Sequence, residues 1–298
     1  MKQMYYSDNT MVFYDGDFVK AHKANTGLYS QSLHYGVGVF EGIRSYKTSN
    51  GPAVFKSKEH YERLLYSADK MNMPLNYTLK EMEMFTYRLL ELNKLENAYI
   101  RPLLFCGPEM SLNPSRQSHF VIQAWPWEKL MGDKGVRVKV SSFQRPNPYS
   151  CFVDAKVTGH YVNSILATTE VKTAGYDEAL LLDNKGFVAE GSGANFFMEM
   201  NECLYTPETG NILPGITRQT IMELCSELGI CVEETKILPE DVLKSDAAFF
   251  TGTAAEVVGI RSVNDYELPL EWEDSLGYLL ARRYQKLVRQ EDEAFALV

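Results

Sequence analysis

The sequence predicts an α+β fold arranged as two domains. Its 298 residues are enough for two domains, or one large one, with a substantial buried core. Strand-like and helix-like apolar periodicities follow one another in mixed order, without the repeating strand–helix rhythm of a Rossmann sheet or TIM barrel. Residues 126–135 lose all periodicity and gather proline, glycine and charge. We therefore expect one domain over residues 1–125, a linker over 126–135 and a second domain over 136–298.

The first domain is expected to combine paired strands with two helices. A hairpin is predicted around Asp15-Gly16, and a second strand pair brackets the turn at residues 49–52, because such dipeptides favour tight turns. In the first helix, apolar residues recur at helical spacing along one face. The predicted elements are the hairpin over 10–22, helices over 57–72 and 78–94, and strands over 98–105 and 120–125.

The second domain is expected to mix short strands with three helices. Turn residues at 183–186 and 207–210 separate several of the strands. A proline and a glycine precede the middle helix, which is typical of a helix start. The predicted elements are a strand over 136–143, a strand over 247–251, and helices over 160–174, from near 215, and over 270–290.

Composition argues against several classes of protein. The net charge of -9 gives no general attraction for nucleic acid or anionic lipid. The sequence has no run of 18 apolar residues, so it predicts no membrane span. The first residues lack the apolar stretch of an export signal, and we therefore expect a cytoplasmic protein. The five cysteines are irregularly spaced without a CxxC pair, and the five histidines form no cluster. We therefore expect neither a disulfide framework nor a metal site, and a reducing compartment.

Two segments have the composition of anion sites. In residues 213–218, Leu-Pro-Gly-Ile-Thr-Arg, proline and glycine open a helix whose first N–H groups suit a phosphate. In residues 251–255, Thr-Gly-Thr-Ala-Ala, small residues after an apolar strand leave backbone N–H groups accessible. A helix cap and a strand-end turn explain the same residues, so both interpretations stay open.

Four charged residues are candidates for chemistry, each beside a structural alternative. Lys156 has the pattern of a solvated lysine, and Arg63 that of a surface arginine early in a helix. Glu190 is explained equally by a turn, although the Gly-Ser-Gly after it permits close approach of a flat ligand. Arg101 lies inside an apolar strand, where an unpaired charge is costly to bury. The residues alone do not decide between these alternatives.

Taken together, the segments resemble the branched-chain amino acid aminotransferases, which are fold type IV (class IV) enzymes that use pyridoxal phosphate. The resemblance covers residues 10 to 290, with the segments in the family order. It implies a small N-terminal α/β domain and a larger C-terminal domain with a pseudo-barrel of strands and flanking helices. The matching segments are HYGVGVFEGIRSY (34–46), HYERL (60–64), YIRPL (99–103), DAKVTGHYVNS (154–164), VAEGSGANFF (188–197), LPGITR (213–218) and FFTGTAAEV (249–257).

The resemblance also implies roles at the matching positions. Lys156 is similar to the catalytic lysine that binds pyridoxal 5'-phosphate as a Schiff base. Glu190 resembles the acid that keeps the pyridine nitrogen protonated, and Tyr161 the phenol near the 3-oxygen. The other implied cofactor contacts are the apolar ring contact Leu213 and the phosphate-binding residues Arg63, Ile216, Thr217, Gly252 and Thr253.

The implied activity is transamination of leucine, isoleucine and valine with 2-oxoglutarate, through ping-pong kinetics. Tyr35 would reach into the site of a partner, so a homodimer or larger homo-oligomer is expected. Small amino acids and keto acids are the expected partners, with no nucleic acid, membrane or metal. The implied substrate residues are Tyr35, Phe40, Gly42, Tyr99, Arg101 and Ala254.

The sequence departs from the family pattern at Leu130, where some relatives carry a tyrosine, and in residues 109–115, which are only loosely similar. Both concern side-chain preference. Three relatives on the same fold remain alternatives: a D-amino-acid aminotransferase, an amine transaminase and an aminodeoxychorismate lyase. A protein that binds pyridoxal phosphate without catalysis is the alternative from another class.

Overall fold

The structure, a computed structural model of the chain, describes residues 5–127 and 135–291. The described residues form two units. The first contains residues 5–127 together with Ala155–Gly159, and the second contains residues 135–154 and 160–291. Most of the linker predicted over 126–135, including Leu130, lies outside the described residues, so the domain boundaries stay a prediction.

The first unit is an antiparallel sheet of seven strands with helices packed on it. The strands run in the order β2-β1-β7-β6-β4-β5, and β3 pairs with β6 beside β4. The predicted helices over 57–72 and 78–94 are confirmed to within two residues at each end. The second of them begins at Thr78, whose side chain and Glu81 form a capping box. The elements are β1 (Met11–Tyr14), β2 (Asp17–Lys20), a 3₁₀ helix (Ala21–Lys23), α1 (Gln31–Tyr35), β3 (Gly38–Phe40), β4 (Ile43–Thr48), β5 (Gly51–Val54), α2 (Ser57–Lys70), α3 (Leu79–Asn93), β6 (Ala98–Cys106) and β7 (Ser118–Pro126).

The second unit contains nine strands and four α-helices. Three of the helices were predicted. The last begins later than expected, at Leu276, because Ser275 caps it after a 3₁₀ turn. The elements are β8 (Val136–Gln144), a 3₁₀ helix (Thr158–His160) whose first two residues belong to the first unit, α4 (Tyr161–Thr173), β9 (Glu178–Leu182), β10 (Val188–Gly191), β11 (Asn195–Met200), β12 (Cys203–Pro207), α5 (Ile216–Leu228), β13 (Cys231–Thr235), α6 (Pro239–Val242), β14 (Ala247–Gly252), β15 (Glu256–Val263), β16 (Tyr266–Glu267), a 3₁₀ helix (Trp272–Asp274) and α7 (Leu276–Val288).

Six strands of the second unit close into a barrel. They follow the order β10-β9-β8-β15-β14-β11, and β10 pairs back onto β11 where Glu190 is opposite Asn195. The strands β8–β9 and β8–β15 are parallel, and the remaining pairs of the ring are antiparallel. The core is apolar, with Phe196 and Phe250 among its buried residues. The predicted α+β fold with a barrel of strands and flanking helices is confirmed.

The sequence predicted no disulfide framework, but the structure contains one disulfide, between Cys203 and Cys231. The parallel strands β12 and β13 place Cys203 directly opposite Cys231, with their Cα atoms 4.7 Å apart, and the two sulfurs are bonded. Sequence spacing missed the pair because a separation of 28 residues is set by the α5 crossover between the strands. Cys106, Cys151 and Cys225 carry free thiols.

Two short helices, α1 and α6, were not predicted. With five and four residues they are too short to show helical periodicity in the sequence. Across residues 5–127 and 135–291, none of the helices combines the length and apolar character that crossing a bilayer requires.

Candidate active site

Lys156 lies in a short segment of the first unit whose backbone is fixed on both sides. Its N–H donates to Ser67 Oγ at 3.0 Å, and its carbonyl accepts from the N–H of Phe40 at 3.1 Å. Val157 pairs with Val39 in an antiparallel bridge. The lysine side chain is half-buried, with Nζ 5.1 Å from the centre of the Phe40 ring. The amine is therefore held against an aromatic wall instead of extending into solvent.

Arg63, on α2, is paired with a carboxylate that has no exposure to solvent. Its Nε donates to Oε1 of Glu41 at 2.6 Å and its Nη2 to Oε2 at 2.8 Å, a bidentate geometry. Nδ1 of His60 lies 2.8 Å from Oε2 of the same carboxylate. Arg63 is thus a largely buried member of a three-residue network, and not the surface arginine that composition allowed.

The pKa values of Glu41 and His60 are both lowered in this network, for Glu41 against the effect of burial and for His60 in line with it. Burial alone raises the pKa of the Glu41 carboxyl, but the charge and hydrogen bonds of Arg63, with His60, hold that pKa well below its usual range. Burial lowers the pKa of His60, and the charges of Arg63 and Lys156 oppose its protonation further, although Glu41 favours it. We therefore assign Glu41 as an ionised carboxylate and His60 as a neutral imidazole. The Nδ1–H of His60 then donates to Glu41.

The predicted substrate residues Phe40, Gly42, Tyr99 and Arg101 come together in the first unit. The Arg101 guanidinium lies 4.6 Å from the centre of the Phe40 ring and 5.3 Å from that of Tyr99, and it donates to Tyr99 Oη at 3.3 Å. At Gly42 a Cβ atom would lie 1.9 Å from Tyr99 Oη, so only glycine fits beside this phenol. Arg101 Nε is buried and has no partner among the described residues. A cation beside aromatic rings, with one buried N–H that lacks such a partner, suits an anionic ligand.

Two tryptophans that sequence reasoning did not single out complete this aromatic wall. Trp125 stacks on Tyr99 with ring centres 5.2 Å apart and lies 5.9 Å from the Arg101 guanidinium. Trp127 packs on the same tyrosine at 4.9 Å. Their positions at the end of β7, opposite Tyr99 across the β6–β7 pair, follow from a strand register that the sequence alone does not show.

Tyr35 ends α1 and remains 45% exposed. Its Oη donates to the carbonyl of Met110 at 3.1 Å, which ties it to the loop over residues 109–115. Apolar side chains just before α1, on α1 and on this loop are strongly exposed as well, including Leu28, Tyr29, Leu33 and Leu112.

Glu190, on β10 of the second unit, is buried among donors. Its Oε2 accepts from Asn195 Nδ2 at 3.0 Å and from the N–H of Leu213 at 3.2 Å. Arg145 Nε lies 2.7 Å from Oε1, although its N–H is off the hydrogen-bond direction, so the contact is chiefly an ion pair. Both side chains of the ion pair are less than a tenth exposed. This environment fixes the orientation of the carboxylate.

Asn195 connects Glu190 to both predicted anion sites, residues 213–218 and 251–255. Its Nδ2 also donates to the Leu213 carbonyl at 2.9 Å, and its Oδ1 occupies the space where a Cβ on Gly215 would be, 1.8 Å away. Its backbone pairs with Thr251 across β11–β14. The two segments that the sequence marked as anion sites therefore both adjoin Asn195.

Each of the two segments presents backbone donors. Gly215 caps α5 without a side-chain hydrogen bond, so Ile216 and the buried Thr217 form an uncapped first turn. In the second segment, Gly252 pairs with Glu256 and so closes the β14–β15 hairpin, and Thr253 and Ala254 occupy its half-buried turn. Thr251 Oγ1 is buried without a partner among the described residues. Leu213 precedes Gly215 by two residues, and Tyr161 is the half-buried first residue of α4.

The comparisons with known proteins agree on one family. The profile of the amino-transferase class IV family matches residues 38–263. A branched-chain-amino-acid aminotransferase of Pseudomonas aeruginosa is 41% identical over 292 residues, which cover 96% of this chain and 95% of that protein. This chain belongs to the branched-chain class IV aminotransferases.

Solved structures of class IV aminotransferases share the fold over nearly the whole chain. The branched-chain aminotransferase of Thermoproteus uzoniensis, crystallised with norvaline, has a TM-score of 0.92 at 36% identity, and 95% of this chain and 96% of that one are covered. The enzyme of Thermobaculum terrenum in its PLP form has a TM-score of 0.90 at 29% identity, with 96% of each chain covered.

The sequence did not predict six residues of this class IV aminotransferase that the structure places beside the predicted ones: Glu41, His60, Trp125, Trp127, Arg145 and Asn195. Arg145 gives no local signal, because its partner Glu190 is 45 positions away in the sequence. Asn195 follows the Gly-Ser-Gly turn, and its conspicuous position after that turn was the one available signal. The distances that reveal these residues depend on strand pairing and tertiary packing, which no local pattern specifies.

Gly215→Ala is expected to destabilise this aminotransferase by about 1–3 kcal/mol. The backbone at residue 215, with φ -71° and ψ 134°, accepts alanine, so only the contact with Asn195 Oδ1 opposes the change. Moving that amide breaks its bonds to Glu190 and the Leu213 carbonyl. Urea denaturation measures the effect, and Gly27→Ala, where nothing lies near the added Cβ, is the control. Equal unfolding free energies for the two variants would contradict the packing role of Asn195.

Proposed function

We propose that this chain transfers the amino group of leucine, isoleucine and valine to 2-oxoglutarate, with pyridoxal 5'-phosphate as its cofactor. The products are branched-chain 2-keto acids and L-glutamate, released in ping-pong order. The observation that carries the proposal is the cluster of side chains around Arg101, which would form the substrate pocket. The rings of Phe40, Tyr99 and Trp125 lie 4.6, 5.3 and 5.9 Å from the Arg101 guanidinium, whose Nε is buried.

Both substrates of this reaction need such a pocket. A branched side chain gains free energy by contact with aromatic rings, whereas the carboxylate groups of the amino acid and of 2-oxoglutarate need a cation. The buried Nε of Arg101, together with the Tyr99 phenol, supplies that cation and a donor. One methylene changes binding by only about 1–3 kcal/mol, so leucine, isoleucine and valine should all be accepted.

The residues present fit pyridoxal phosphate. Thr251 Oγ1 is a buried hydroxyl without a partner among the described residues, and Gly215 heads a helix without a side-chain cap. A phosphate satisfies donors of this kind. Glu190 is a buried, multiply hydrogen-bonded carboxylate, the group that a protonated pyridine nitrogen requires. We propose that the phosphate is held by Arg63, Ile216, Thr217, Gly252 and Thr253.

When bound, pyridoxal phosphate supplies an electron sink that makes the α-proton of an amino acid acidic. Lys156 would hold the cofactor through Nζ, remove that proton as a base and return it as an acid. Glu190 would keep the pyridine nitrogen protonated. Leu213 would contact the ring face, and Tyr161 would donate to the 3-oxygen. Ala254 would contact the substrate in the manner its family position implies.

We further propose a homodimer or larger homo-oligomer that acts in the cytoplasm. The exposed apolar side chains around Tyr35 support an interface between copies, with Tyr35 reaching the partner's site. The free thiols of Cys106, Cys151 and Cys225 support a reducing compartment, whereas the Cys203–Cys231 disulfide argues against one.

A substrate panel tests the proposed reaction. The purified protein, supplied with pyridoxal phosphate, should form glutamate from 2-oxoglutarate with L-leucine, L-isoleucine and L-valine at rates within about tenfold of one another. D-alanine, a primary amine and aminodeoxychorismate are the substrates that separate the alternatives on this fold. Turnover of one of these three without activity on L-leucine would refute the branched-chain assignment. A protein that binds the cofactor but turns over no member of the panel would support the non-catalytic alternative.

A further inference from the structure

We propose that Glu41 is a positioning residue for cofactor binding, which acts by fixing the guanidinium of Arg63. The inference rests on the proposed function, because Arg63 is there assigned to the cofactor phosphate. Neither the sequence motifs nor the roles proposed above give Glu41 a task, although its side chain has no solvent exposure. Burying a carboxylate so completely is costly unless its partners compensate, so its presence requires an explanation.

Glu41 is anchored to the sheet, whereas Arg63 is carried by a helix. The N–H of Glu41 donates to the Pro102 carbonyl of β6 at 2.9 Å, which fixes the residue between β3 and β4. The carboxylate then takes Nε and Nη2 of Arg63, at 2.6 and 2.8 Å. Two parallel hydrogen bonds set both the position and the plane of a guanidinium. A guanidinium has five N–H donors, and Glu41 accepts from two of them.

Arg63 lies on the face of α2 that contacts the lysine segment. His60, Arg63 and Ser67 are spaced i, i+3 and i+7, so they share one side of the helix. Ser67 accepts the backbone N–H of Lys156 at 3.0 Å, and His60 shares the Glu41 carboxylate. The face that holds the proposed cofactor lysine is therefore the face on which Glu41 fixes the arginine.

The rest of the Glu41 carboxylate is occupied by neutral donors. His60 Nδ1 lies 2.8 Å from Oε2, and the N–H of Gly42 donates to the same oxygen at 3.3 Å. Both oxygens thus have partners, which keeps the group ionised and prevents it from rotating. A glutamine at this position has one acceptor oxygen and an amide that meets donors, so it cannot reproduce the arrangement.

If Glu41 acted only through its charge, replacing it would change the affinity for a phosphate in the direction opposite to that of our proposal. The sign of the change in affinity therefore tests the proposal. A carboxylate beside Arg63 weakens the positive potential that attracts a phosphate, so removing its charge should tighten binding if orientation did not matter. If Glu41 acts by orienting Arg63, removing it should weaken binding instead. The direction of the change in affinity therefore distinguishes the two roles.

The experiment measures the dissociation constants of the full-length apoprotein for pyridoxal 5'-phosphate and for pyridoxal, which lacks the phosphate. For Glu41→Gln we expect the constant for pyridoxal phosphate to rise by about 10–100-fold, the loss expected for charged hydrogen bonds, and that for pyridoxal to change by less than about twofold. Arg63→Lys should behave alike. The double variant should bind no more weakly than Arg63→Lys alone, since both changes remove one interaction.

Glu62→Gln is the matched control, because Glu62 is an exposed carboxylate on the same helix as Arg63. Circular dichroism checks that each variant is folded. If Glu41→Gln does not fold, Glu41→Asp is judged by the same criteria, because it keeps the charge but withdraws it by one methylene. Tighter or unchanged binding of pyridoxal phosphate would overturn the inference, as would equal weakening of both ligands.

Failure of this inference is distinguishable from failure of the proposed function. A wild-type protein that binds no pyridoxal phosphate contradicts the proposed function. Normal cofactor binding by Arg63→Lys removes Arg63 from the phosphate site and with it the role of Glu41. Normal binding by Glu41→Gln, combined with weak binding by Arg63→Lys, contradicts the role of Glu41 alone.

Discussion

Lys156→Ala is expected to lower transamination of L-leucine by more than about 10³-fold, because the variant loses both the covalent hold on the cofactor and the proton-transfer base. Ser67 and Phe40 fix the backbone of the wild-type segment, and the amine lies beside the Phe40 ring. Steady-state kinetics with 2-oxoglutarate measures the loss.

A measurement of cofactor retention accompanies the kinetics. Wild-type protein treated with borohydride should retain the cofactor permanently, whereas Lys156→Ala should release it on dialysis. Lys172→Ala, at an exposed lysine of α4, is the control and should keep wild-type activity. Retention of a tenth or more of the activity in Lys156→Ala would remove this lysine from the catalytic role.

The second large effect is expected for Glu190→Gln, which should reduce kcat by about 10²–10⁴-fold while the cofactor remains bound. Glutamine keeps the size of the side chain and one acceptor for Asn195 or Leu213. It lacks the negative charge that would hold a proton on the pyridine nitrogen, and it leaves Arg145 without its counter-charge. The change therefore affects turnover far more than cofactor retention.

Two measurements on the Glu190→Gln variant separate these effects. The kcat for L-leucine reports the electron-sink role, and the dissociation constant for pyridoxal phosphate reports retention, which should change by less than about tenfold. Glu227→Gln, at an exposed position of α5, is the control. Near-normal kcat with tight cofactor binding would be incompatible with the role assigned to Glu190.

Local sequence patterns predicted most of the elements because the signals for them are local. The helical periodicity over residues 57–72 and 78–94 predicted α2 and α3, and Pro214 and Gly215 marked the start of α5. Barrel closure was implied by the family resemblance and not by any periodicity. The short helix α1 was missed because five residues show no pattern.

The candidate site was predicted in part, for a different reason. Phe40, Gly42, Tyr99 and Arg101 were named from the resemblance, and the structure brings all four together in one unit. The supporting residues were not found. The Glu41 network joins a strand end to a helix, and the pairing of Arg145 with Glu190 joins a loop to a strand. Contacts of this kind arise from tertiary packing and leave no periodic trace in the chain.

The pairing of β10 with β11, which closes the barrel, determines how a local loss of structure would affect this protein. The ring is joined between β10 and β11 by a single registered pair, and its two members are Glu190 and Asn195. A shift in the register of that pair would displace the Glu190 carboxylate and open the barrel between β10 and β11. Closure of the barrel and the placement of Glu190 thus depend on the same strand pair. A molecule whose barrel has opened there is expected to be inactive, and not to catalyse a different reaction.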